Sequence, residues 1–172
     1  MQLKTRTLTL SALFSALTVL MLYIASIWPT GQTGVVAAAS LFTAAAVIES
    51  GLLSGLYVYT ISSLLGMLLI PNRASALLYV LFFGFYPIVK SLIERLDGRV
   101  LRWVLKLFVF NAALTVIWLF LKELIFDLGS SAPGALIVFV GGSIVFSLFD
   151  YGLTKLIWLY INRVSRFTGK RK

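Results

Sequence analysis

The sequence predicts an all-α membrane protein, a bundle of six transmembrane helices with both termini cytoplasmic. Three observations carry this. Hydrophobic residues make up 60% of the chain and charged residues 12%, with a mean hydropathy of +0.99. A soluble domain of 172 residues has no interior large enough to hide that much apolar surface. The apolar residues fall into six runs of spanning or near-spanning length, separated by stretches of Pro, Gly and charge. Alternating those runs across a bilayer puts thirteen of the fifteen Lys and Arg on the side that holds both termini and leaves Arg73 and Lys122 opposite. The positive-inside rule then makes the first side cytoplasmic.

The first span, about 8–28, follows Lys4 and Arg6 and is read as a retained helix, because it is long enough to cross a bilayer and no cleavage-type site closes it. Trp28, Pro29, Gly31 and Gly34 end it and make the first outer loop. The second, about 35–49, is alanine-rich and short, and it spans only if Thr33 and Glu49 lie at opposite interfaces. Its composition marks a packing helix. Ser50 and Gly51 form a minimal turn into the third span, about 52–70, where Ser54, Gly55, Ser62, Ser63 and Gly66 permit close helix contact. The fourth span, about 74–91, is expected to kink or unwind around Gly84 and Pro87.

From Lys90 to Lys106 the sequence reads as a charged, amphipathic cytoplasmic connector around Gly98. The fifth span, about 101–126, carries Asn111 and Trp118 and exits at Lys122, Glu123 and Asp127. After a flexible turn at 129–134, the sixth span covers about 135–161 and contains Asp150. A basic tail, 162–172, follows. No sequence repeat relates the two halves, so residues 1–172 are read as one integral membrane domain.

The chain has neither Cys nor His, which removes disulfides, thiol nucleophiles, imidazole bases and the usual zinc sites. No phosphate-cradling glycine loop is present. Six carboxylates scattered along the chain make no paired acid/base set, so the reading is a non-enzyme without metal or cofactor. The net charge of +9 sits in short clusters between spans, a pattern of topology signals and membrane lipid contact rather than a nucleic-acid groove.

Candidate functional residues fall into three groups. Near the start of the first span Ser11, Ala12, Ser15 and Ala16 form a small-residue strip, since residues four apart share a helix face and let another backbone approach. Asp150 lies inside an apolar span, where an unpaired carboxylate costs roughly 2.5 to 3.5 kcal/mol. It is either satisfied locally, with Thr154 one turn on and Lys155 near, or it is a proton or cation site or a partner contact. Toward the outer side Trp28, Gln32, Tyr79, Phe83, Asn111, Trp118, Lys122 and Ser143 are candidates for binding a small, partly aromatic solute. The other reading of this group is an interfacial aromatic belt, with Lys122 and Glu123 snorkelling to water and Asn111 bonding between helices.

The run from Leu8 to Leu17, LTLSALFSAL, with its Ala12-x-x-x-Ala16 pair near the cytoplasmic end of the first of six spans, resembles the substrate-binding S components of energy-coupling factor (ECF) transporters. The resemblance implies a subunit that captures a vitamin or related micronutrient in an outward pocket roofed by the first loop. It also implies that Ala12 and Ala16 dock on a transmembrane T component coupled to two ATPase subunits, and that the domain tilts to release its solute inside. The pocket residues match that family by location only. The alternative is a membrane scaffold similar to the MreD-type rod-shape proteins, which transports nothing.

Overall fold

The computed structural model describes the backbone at residues 2–28, 31–125 and 132–163, and side chains at 5–28, 31–119 and 138–163. Lys122, Glu123 and the tail beyond Arg163 lie outside the described side chains. The elements are α1 (Gln2–Ile27), α2 (Gln32–Ser50), α3 (Leu52–Leu69), α4 (Arg73–Leu78), a π-helical turn (Tyr79–Phe83), α5 (Tyr86–Ile93), α6 (Arg99–Ile125) and α7 (Ala132–Arg163). Among the described residues there is no strand. Six helical segments are long and apolar enough to cross a membrane, with α4, the π turn and α5 counting as one. The protein is a multi-pass membrane bundle.

Helix α1 shows how small residues set the packing. Its inward face is Ser11, Ser15, Thr18, Leu22 and Ala25, all buried, at alternating spacings of four and three that keep one stripe facing the bundle. Ser11 Oγ meets Ser54 Oγ of α3 at 2.6 Å. The α3 partners repeat every four residues as Ser54, Val58, Ser62 and Gly66, so two slim helix faces close on each other. Helix α2 is three residues longer at its start than the apolar run suggests, because Gln32, Thr33 and Gly34 join it. That gives the alanine-rich segment spanning length. Gly51, at φ 89°, then makes the reversal into α3 and donates its N–H to Val47 O at 3.0 Å, a backbone region where L side chains are strained.

The fourth span is the centre of the bundle: 56% of its apolar window is buried, against 17–39% in the others. It unwinds as expected around Gly84 and Pro87. Pro87 has no N–H to continue the helical ladder, and Gly84 N–H bonds to Tyr79 O at 2.7 Å, the five-residue step of a π turn. A Cβ at Gly84 would sit 2.7 Å from both Tyr59 Cδ2 and Tyr79 Cε1, so the ring of Tyr79 occupies the space a side chain would need.

Cross-bundle bonds define two ends. At one, Tyr160 Oη donates to Glu49 at 3.2 Å and Lys106 reaches Glu94 at 3.1 Å. At the other, Gln32 Nε2 donates to Ser75 Oγ at 2.6 Å. The first, which carries most of the described Lys and Arg, is called the basic end below.

Candidate functional site

Three helical stripes converge beside α2. Phe82, Tyr86, Lys90 and Glu94 follow one another at four-residue spacing through the π turn and α5. On α6 the stripe is Lys106, Phe110, Leu114 and Ile117, and on α7 it is Gly142, Phe146, Asp150 and Thr154. Each is apolar toward the far end and charged or polar toward the basic end, so assembling them stacks three layers along the bundle axis.

The far layer is a cavity of about 310 Å³ whose walls include Phe82, Phe83, Phe110, Leu114, Phe146 and Phe149, with Thr33 at its far-end rim. It persists because Gly142 faces it: a Cβ there would come within 3.3 Å of Leu114 and Phe110. The middle layer is an aromatic cluster. Phe110 and Phe146 stack at 4.6 Å and 10°, while Phe82 meets Phe110, Phe146 and Tyr86 with centroids 5.1–5.8 Å apart, within the range where offset and edge contacts are favourable.

The basic-end layer is a buried ion cluster. Lys90 pairs with Asp150 Oδ1, and Lys106 pairs with Oδ2 at 3.0 Å. Both lysines also reach Glu94 Oε1, at 3.2 and 3.1 Å. Tyr86 Oη donates to Asp150, joining the aromatic layer to the charged one, and Lys90 adds a bond to Thr154 Oγ1 at 2.8 Å. Two ammonium and two carboxylate groups sum to zero. Such neutrality lets Lys90, Lys106 and Asp150 sit inside membrane spans, with Glu94 just beyond the end of one completing the balance; breaking a buried pair there costs far more than the intact pair contributes.

This arrangement shortens the charged, amphipathic connector read from Lys90 to Lys106. The connector is only the segment between Ile93 and Arg99, turned by Gly98 at φ 102°, and both lysines are buried inside helices. It also replaces the local partners expected for Asp150. Lys155 points instead over the Tyr151 ring, at 5.5 Å, because position 155 lies on a different helix face from 150. Thr154 bonds not the carboxylate but the backbone carbonyl of Asp150, donating to it at 2.8 Å, and takes part in the cluster by accepting from Lys90.

Of the eight solute-binding candidates, Phe83 alone borders the cavity among the described side chains. Trp28 is exposed at the end of α1. Gln32 is engaged by Ser75, and Tyr79 is fully buried with its hydroxyl 3.0 Å from Thr43 Oγ1. Asn111 and Ser143 bond to their own helix carbonyls, Leu107 O at 2.9 Å and Phe139 O at 2.8 Å, the usual way polar side chains in lipid are satisfied without a ligand. Trp118 is half-buried outside the cavity wall. Lys122 lies outside the described side chains.

The small-residue strip divides in two. Ser11 and Ser15 belong to the internal α1–α3 seam, the latter donating to Ser11 O at 2.8 Å, and neither is free to dock on a partner. Ala12 and Ala16 point outward and are exposed. Among the described residues no group of three or more carboxylates, imidazoles or thiols is positioned to hold a metal. No protein family, curated protein or solved structure matches this chain.

Proposed function

We propose that this chain is the membrane substrate-binding subunit of an ECF-type ABC transporter. It takes up a vitamin or similar micronutrient from the outer side and delivers it inward with a T component and two ATPase subunits. The observation that supports this reading best is the aromatic cavity of about 310 Å³, a size in the range of small-molecule sites. It lies in the bundle half away from the basic loops, the half that the charge distribution assigns to the outside.

Five phenylalanines and a single threonine hydroxyl line the cavity alongside aliphatic side chains, a surface suited to a solute with a large apolar or aromatic portion. The aromatic layer beneath closes the route to the basic end, so release inward requires the helices to move relative to one another or the whole domain to tilt. Ala12 and Ala16, exposed on α1, offer a flat contact for a transmembrane partner. The chain itself is assigned no catalysis; ATP hydrolysis belongs to the partners.

The test is to purify the protein from its native membrane, denature it and identify released small molecules by mass spectrometry, alongside Gly142→Leu. A stoichiometric solute in wild type that the filled cavity no longer retains is the expected result. An empty wild-type protein that also brings down no ATPase favours the MreD-like scaffold.

A further inference from the structure

A second cavity, also about 310 Å³, opens at the basic end between the end of α5, the start of α6 and α7, lined by Arg99, Arg102, Trp103, Lys106, Asp150 and Thr154 among others. We infer that it binds a phosphate-bearing anion, independently of any transported solute. The argument begins with which charges are already spent. Asp150 and Glu94, the carboxylates that line it, are both held by Lys90 and Lys106. Their negative charge is neutralised where they stand.

Arg99 and Arg102 have no such partner: neither makes an ion pair among the described residues, and Asp97, close by in the connector, pairs with neither. Arg102 uses its Nε–H on Gly98 O at 3.4 Å, which leaves its two terminal nitrogens available. Lys106 has three N–H donors and directs two to Glu94 and Asp150, keeping one. The cavity therefore presents two guanidinium groups and an ammonium proton with net positive charge. Guanidinium forks match the paired oxygens of a phosphate better than any other side chain does.

The rim narrows the source of that phosphate. Trp103 is 43% exposed and Tyr151 62%, and both line the opening on the outward sides of α6 and α7. An anionic phospholipid would place its phosphodiester among the arginines and its acyl chains along these side chains, at the depth where a headgroup lies. A free phosphate would use the arginines and leave the apolar rim idle.

The experiment uses the full chain in detergent and native mass spectrometry, with phosphatidylglycerol, phosphatidylcholine and inorganic phosphate as probes. Wild type should retain phosphatidylglycerol over phosphatidylcholine by about tenfold or more, through basic residues near the headgroup and direct hydrogen bonds to it. Arg99→Gln with Arg102→Gln should lose that preference. Arg95→Gln with Arg163→Gln removes the same charge outside the cavity and should keep it. Arg99→Lys with Arg102→Lys retains the charge without the fork; reduced retention there supports the site even if the glutamine pair fails to fold. Arginine-dependent binding of inorganic phosphate that displaces phosphatidylglycerol supports the anion site and identifies its source as soluble phosphate. Equal lipid preference in the glutamine pair and its control, or no arginine-dependent binding of either probe, overturns the inference.

Discussion

Replacing Asp150 by Asn removes one negative charge from a buried cluster whose four charges cancel, and changes little else in shape. In the wild type the Asp150 carboxylate accepts from Tyr86, Lys90 and Lys106. The asparagine keeps an acceptor for Tyr86 but leaves the cluster at +1, with two ammonium groups sharing the one remaining carboxylate, through Glu94 Oε1 at 3.2 and 3.1 Å. Breaking a buried pair costs about 3–5 kcal/mol. Because the Glu94 side chain is 40% exposed and water softens the imbalance, the cost here belongs at the lower end, about 3 kcal/mol. The assay is reversible unfolding in mixed detergent and SDS, followed by circular dichroism. Adding Lys90→Met to Asp150→Asn returns the cluster to neutrality, so the double variant should recover part of the loss and show a coupling of about 1–3 kcal/mol. Adding Lys155→Met, which removes a charge over the Tyr151 ring, should recover nothing. Asp150→Asn unfolding like the wild type, or the Lys90 double variant behaving as the sum of its singles, would refute the neutral-cluster account.

Other perturbations separate packing from exposure. Ser11→Leu forces a larger side chain into the α1–α3 seam and breaks the bond to Ser54, so it should lower unfolding stability by about 1–3 kcal/mol. Gly84→Ala places a methyl group 2.7 Å from the Tyr59 and Tyr79 rings and should cost a similar 1–3 kcal/mol by about the same overpacking. Gly152→Ala, with nothing within 4 Å of its Cβ, should be neutral or slightly stabilising in the same unfolding assay.

The six spans and the kink at Gly84 and Pro87 were legible in the sequence because they depend on local signals: run length, helix breakers and proline chemistry. The short second span was the exception. Its start at Gln32 is fixed by a bond to Ser75, forty-three positions away, which no local pattern announces. The ion cluster was half legible. Asp150 stands out as a carboxylate in an apolar run, but its partners come from α5 and α6, and both lysines are also natural topology signals. Their four-residue spacing from aromatic residues, Tyr86 to Lys90 and Lys106 to Phe110, was the clue that places them on inward stripes. The cavity was least legible, because polar and interfacial residues suggested a binding site whereas the walls are phenylalanines on helix faces. Gln32, Asn111 and Ser143 satisfy their hydrogen bonds within the bundle, as apolar surroundings require.

The proposed role turns on whether the outward face of α1 engages an energising module. Wild-type protein isolated gently from its native membrane should bring down a T component and two ATPases, whereas Ala12→Arg, which adds a charge to an exposed position of α1, should lose all of them while keeping its unfolding profile and any bound solute. Wild type that emerges without ATPases, or Ala12→Arg that keeps them, would contradict the account.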